Sequence, residues 1–165
     1  MRMSTRGRFG LRALLTLAED ERSAPISVAR LAELMTVSAD YLMQLFVKLR
    51  RAGLVKSIRG PRGGFRLARP AAQITVGDVI RAAEGPIAVV ACVSERDCYK
   101  GKKLPKYVDC PKIPTCMSRI MWVRLTEEIE HILDSANLQD IVDEARRRGF
   151  RNEKAPREEE CIAKK

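Results

Sequence analysis

The sequence has no apolar run approaching the roughly 18 residues of a membrane-spanning helix. It also has no segment that reads as a secretory leader, because the opening MRMSTRGRFGLRALL passes straight into an amphipathic pattern with arginines inside it. The expected compartment is the cytoplasm, with no membrane partner. Histidine is nearly missing, His131 being the only one. No nucleophile paired with a base and no glycine-rich cofactor loop can be picked out, so catalysis is not expected. The five cysteines include no CxxC pair, the short spacing of zinc ribbons. There is no internal repeat.

What is present suits a globular chain. The 165 residues, 45% hydrophobic and 32% charged, can bury a core without disulfide staples, as one domain or as a small domain with a helical arm. The formal net charge of +10 is unevenly placed: residues 1–70 hold 14 Lys or Arg against 5 Asp or Glu, and the rest hold 17 against 16. Positive charge concentrated in one segment points to a polyanionic partner.

Gly10, Ala13, Leu14, Leu17 and Ala18 follow the i, i+3, i+4 spacing of one buried helical face, with Arg8 and Arg12 on another side. Ser27 caps a short helix carrying Val28, Leu31, Ala32 and Met35. After the turn Met35-Thr36-Val37, Ser38 caps a second helix with Leu42, Leu45, Phe46 and Leu49, which Gly53 ends. Two short helices joined by a tight turn predict a helix-turn-helix. LVKSI and FRLA predict two strands around the turn Arg59-Gly60-Pro61-Arg62-Gly63-Gly64, a wing.

Pro70 closes the wing, and Thr75 caps a helix with Asp78 at its third position and Gly85-Pro86 at its end. Residues 91–116 carry four cysteines and three prolines without period, a loop that calls for a ligand to order it. From Met117 a long helix bears Met121, Leu125, Ile129, Ile132 and Leu133, widened by Ile120, Trp122 and Val123. That is more apolar surface than one arm buries alone. Asn137 or Ser135 caps a last helix ending at Gly149, and the polar tail beyond it predicts disorder. The expected fold is mainly α with a small β-wing, a winged helix-turn-helix with a long C-terminal dimerisation helix. The expected division is 1–85 for the DNA-binding unit, 86–116 for the cysteine loop, 117–148 for the dimerisation and final helices, and 149–165 for the tail.

The second helix of a helix-turn-helix lies in the major groove of double-stranded DNA. Ser38, Ala39, Asp40, Tyr41, Met43 and Gln44 lie at its N-terminal end. Gln44 suits adenine, Met43 a thymine methyl, and Tyr41 a phosphate or base edge. Lys48, Arg50 and Arg51 suit phosphates, while Arg59 and Arg62 at the wing tip suit a narrow minor groove.

Cys92, Cys98, Cys110 and Cys116 follow C-x5-C-x11-C-x5-C, and four thiolates are the usual complement of an iron-sulfur cluster. Structural zinc and redox-switching thiols are the competing readings. Cys161 lies in the tail and is read as free, and His131 as a packing or surface residue.

MRMSTRGRFGLRALLTLA, SADYLMQLFVKLRRAGLVKSIRGPRGGFRLA and ITVGDVIRAAEG together resemble the Rrf2 family of regulators, especially its iron-sulfur, IscR-like branch, over about residues 1–145. The resemblance implies a homodimer paired through the long helix, a pseudo-palindromic operator, and DNA affinity tuned by a cluster that reports iron-sulfur or redox status. A 2Fe-2S cluster is favoured, with 4Fe-4S the alternative. In that branch three cysteines precede a histidine and a tryptophan. Cys92, Cys98, Cys116 and Trp122 match, but Arg119 holds the histidine position, and arginine stays protonated. Cys110 is an addition in a longer loop. Another branch takes an acidic ligand near the N-terminus of the partner subunit, where this chain has Arg8, and Met43 replaces an acidic residue of the recognition helix. The remaining alternatives are a cluster-free regulator answering to thiols or a partner protein, and a metal carrier whose basic face binds RNA or protein.

Overall fold

A computed structural model describes residues 4–19, 24–61, 63–93, 110 and 112–150. Helix α1 (Thr5–Glu19) buries Gly7, Gly10, Ala13, Leu14, Thr16 and Leu17. The stripe is wider than its apolar spacing predicts, because Thr16 satisfies its hydroxyl on the carbonyl of Arg12 at 3.0 Å and can go inside. No acidic residue lies in the first turn of α1. The carboxylate of Glu84 accepts from the N–H groups of Ser4 and Gly7 there, at 3.1 and 3.0 Å, supplying the negative charge that a helix N-terminus favours.

Helix α2 (Val28–Met35) is capped by Ser27 and ends at Thr36 in the left-handed region, φ 56°. Helix α3 (Ala39–Arg51) is capped by Ser38 and buries Leu42, Leu45, Phe46 and Leu49, so the helix-turn-helix forms as its caps and period predict. Strands β1 (Val55–Ile58) and β2 (Gly64–Leu67) pair antiparallel, with Lys56 opposite Arg66 and Ser57 opposite Phe65. β1 begins one residue after the expected LVKSI and ends with it, while β2 lies one residue earlier than the expected FRLA. On the far edge of β2, Ile26 forms a bridge, exchanging hydrogen bonds with Phe65 at 3.0 and 2.9 Å. Gly64 passes so close to this bridge that a Cβ would lie 2.3 Å from the carbonyl oxygen of Ile26. Phe65 packs on Phe46 with ring centroids 4.5 Å apart, which fixes the wing to α3.

A 3-10 turn, Ala71–Gln73, leads to helix α4 (Val76–Glu84), whose capping box of Thr75 and Asp78 is complete. Asp78 also pairs with Arg69 at 2.7 Å, and Arg81 bonds Asp134. Beyond Gly85 the chain docks on helix α5 (Ser118–Ser135) through Val89, whose N–H donates to the buried Thr126 hydroxyl at 3.4 Å. Thr126 is the one buried residue of α5. Met117, Ile120, Met121 and Ile132 on or beside that helix are 85%, 62%, 58% and 63% exposed, the unshared apolar arc that the sequence predicts.

Asn137, not Ser135, caps helix α6 (Leu138–Arg147), because the Ser135 hydroxyl donates back to the carbonyl of Ile132. Leu138 is fully buried in the same core as Leu14, Leu42, Phe46 and Ile74, and backbone bonds tie Val76 to Ala136 and Leu138 to Ile74 at 2.9 Å each. A second cluster, Val76, Ile80 and Ile87, meets Ile129 and Leu133 of α5. Among the described residues no helix is long and apolar enough to cross a membrane.

Candidate nucleic-acid interface and cysteine site

Burial of one face of α3 decides what the opposite face shows. Ser38, Ala39, Asp40, Met43, Gln44, Lys48, Arg50 and Arg51 are all exposed, and the Ser38 hydroxyl is committed to the N–H of Tyr41 at 3.3 Å. Asp40 sits in the first turn, where negative charge is favoured. Val47 shares the outward arc one turn beyond Gln44 and Met43. As an apolar, half-buried residue it carried no binding signal in the sequence. The Lys48 ammonium donates to the carbonyl of Ala83 at 3.2 Å, at the C-terminal end of α4. It therefore joins α3 to α4 as well as carrying surface charge.

Tyr41 lies differently from the sequence expectation of a phosphate or base-edge contact. Its ring meets Phe9 edge-on, centroids 5.9 Å apart and planes at 79°, and its hydroxyl is buried without a hydrogen-bond partner. A buried donor left unpaired costs about 1–3 kcal/mol. Tyr41→Phe is accordingly expected to raise stability by about 1 kcal/mol in urea unfolding. A clear fall in stability would show that the hydroxyl has a partner after all.

The wing tip turns on Gly60, at φ 118°, and on Gly63, whose N–H closes the turn on the carbonyl of Gly60 at 2.8 Å. A Cβ on Gly63 would stand 2.4 Å from the carbonyl oxygen of Ile58. Arg59 is exposed at this tip, and Arg62 lies outside the described residues.

Of the cysteines, Cys92 and Cys116 are half-buried and Cys110 is exposed, all free thiols, whereas Cys98 and Cys161 lie outside the described residues. Short 3-10 turns, Ala91–Val93 and Ile113–Thr115, order the two ends of the segment read as a loop. Cys116 stands just before α5. The Ser118 hydroxyl 3.1 Å from its sulfur, then the N–H of Arg119 and the Arg119 charge, hold the thiol below its ordinary pKa. Arg119 donates through Nε to the carbonyl of Cys92 at 3.3 Å, so the two ends of the segment meet at the start of α5. A surface cavity of about 550 Å³ beside them is lined by Cys116, Arg119, Ile120 and Val123. Among the described residues no three His, Cys, Asp or Glu side chains gather to hold a metal. The donor chemistry itself, thiols with one already biased to thiolate, suits zinc as well as an iron-sulfur cluster. His131 is exposed on α5.

A capped reading helix backed by a two-stranded wing defines a winged helix-turn-helix DNA-binding protein. Residues 3–144 match the Rrf2 family, described as iron-dependent transcriptional regulators, and the chain belongs to that family. It is 38% identical to an HTH-type transcriptional regulator of Neisseria meningitidis serogroup A, over 87% of this chain and 89% of the relative. Among solved structures it is similar to CymR, the global cysteine regulator of B. subtilis, with 36% identity, a TM-score of 0.66, and coverage of 87% of this chain and 97% of that one. It is also similar to T. potens IscR, with 34% identity, a TM-score of 0.67 and coverage of 88% of each chain. These relatives are transcriptional regulators, not enzymes.

Proposed function

We propose that this transcriptional regulator binds a pseudo-palindromic operator as a homodimer. Gln44 and Met43 face the major groove, Arg50 and Arg51 face phosphates, and Arg59 with Arg62 face the minor groove. An iron-sulfur cluster held by Cys92, Cys98, Cys110 and Cys116 tunes its affinity. The observation that carries the cluster reading is that Arg119 at the head of α5 bonds the backbone of both loop ends, its Nε donating to the carbonyl of Cys92 and its N–H to the carbonyl of Cys116. That helix bears the exposed apolar arc suited to a second copy. When bound, a cluster supplies a redox-sensitive charge there. The chain's own part is to hold the loop ends on α5, so that a change in their order biases the helix.

A second reading is a cluster-free, thiol-responsive regulator. It is supported by the similarity to a cysteine regulator and by the lowered pKa of Cys116. One preparation separates the two. Anaerobically purified protein is expected to be coloured, with iron and sulfide in equal amounts. Cys110→Ala and Cys116→Ala are each expected to lose most of that iron, while Cys161→Ala and His131→Ala keep it. Colourless, iron-free protein whose duplex binding changes on thiol oxidation would establish the second reading.

A further inference from the structure

Between Asp40 and Asp78 the chain carries eight Lys or Arg and no Asp or Glu. The wing lies inside this stretch. Its register sets Lys56 directly opposite Arg66, on the face away from Val55 and Phe65, which are buried. Directly opposed side chains of an antiparallel pair have Cβ atoms about 4.5–5.5 Å apart, and like charges in that position destabilise the pair. Neither cation is relieved by an ion pair among the described residues. Arg66 carries an added cost, because its Nε is buried with no hydrogen-bond partner. A locally unfavourable arrangement of this kind is expected where a ligand supplies what the fold withholds.

We propose that Lys56 and Arg66 form a phosphate clasp on the flank of the wing, for the phosphodiester backbone of double-stranded DNA. The inference rests on the DNA-binding reading above and goes beyond it, since neither residue belongs to the reading helix or the wing tip. The geometry suits that place. Arg59 lies three residues beyond Lys56, about 10 Å along an extended strand, and a minor groove is about 7.5 Å deep. With the tip arginine in the groove, the opposed pair stands level with the phosphates on its rim. An anionic oxygen between the two cations removes their repulsion, so the clasp binds backbone of any sequence.

The test is a salt titration of binding to a labelled duplex of random sequence, run on wild type, Lys56→Glu, Arg66→Gln and a distant control, Arg147→Glu. In Lys56→Glu and Arg66→Gln the slope of log affinity against log salt is expected to fall by about 1. Affinity at fixed salt is expected to fall on the order of tenfold. The control should keep the wild-type slope. Lys56→Glu should also melt at or above the wild-type temperature, because it turns a repulsive pair into an attractive one. Slopes equal to wild type, or losses matched by Arg147→Glu, would overturn the clasp while the DNA-binding reading stands. A lowered melting temperature for Lys56→Glu would overturn the repulsion it is built on. Wild-type protein that fails to bind duplex in a salt-dependent way would remove both readings.

Discussion

Phe46→Ala is expected to cost about 3–5 kcal/mol in urea unfolding. Phe46 is 0% exposed and is the side chain of α3 whose ring stacks on the wing through Phe65, so its loss removes apolar burial and opens a cavity where two elements join. Against a typical domain stability of about 5–15 kcal/mol, that loss leaves a substantial unfolded fraction at ordinary temperature. Phe46→Leu keeps most of the volume and is expected to lose far less. A Phe46→Ala protein within 1 kcal/mol of wild type, on the scale expected of an ordinary surface change, would show that the two rings do not form one core.

Gly64→Ala should be nearly as damaging, at about 2–4 kcal/mol. The added methyl group would stand 2.3 Å from the carbonyl oxygen of Ile26 and 2.8 Å from the nitrogen of Ser27. These are backbone atoms without a rotamer to retreat into. Relief requires Ile26 to move off Phe65, which breaks two hydrogen bonds and displaces Ser27, the cap of α2. The wing and the first helix of the reading motif should therefore loosen together, seen as faster amide exchange in both. Wild-type exchange and stability in Gly64→Ala would mean that the bridge yields without cost.

Much of this fold was legible because its signals are local. Ser27, Ser38 and Thr75 with Asp78 announce helix starts by a chemistry confined to three or four residues, and all of them form as expected. What was not legible depends on contacts distant in the chain. The single bridge at Ile26 has no period to betray it. Glu84 capping α1, and Lys48 holding the end of α4, join residues far apart in sequence. Tyr41 looked like a surface contact because its spacing cannot show that Phe9 waits beneath it. The cysteines were visible as a set, but the polar seat of Cys116 depends on where Ser118 and Arg119 fall at the head of a helix. A serine two residues after a cysteine at a helix start is the only trace of it in the sequence.

The burial of Leu138 in the principal core bears on how such a regulator can be taken apart. The last helix comes home to the first, so the reading motif and the C-terminal helix α6 share one hydrophobic interior. A cut after residue 85 would strip Leu138 and Val142 from the side of α1 and leave the reading motif with an unsealed seam. The two halves are therefore not interchangeable cassettes. A new reading head would have to be grafted within the surface of α3 and the wing, leaving the interior they share with α6 intact.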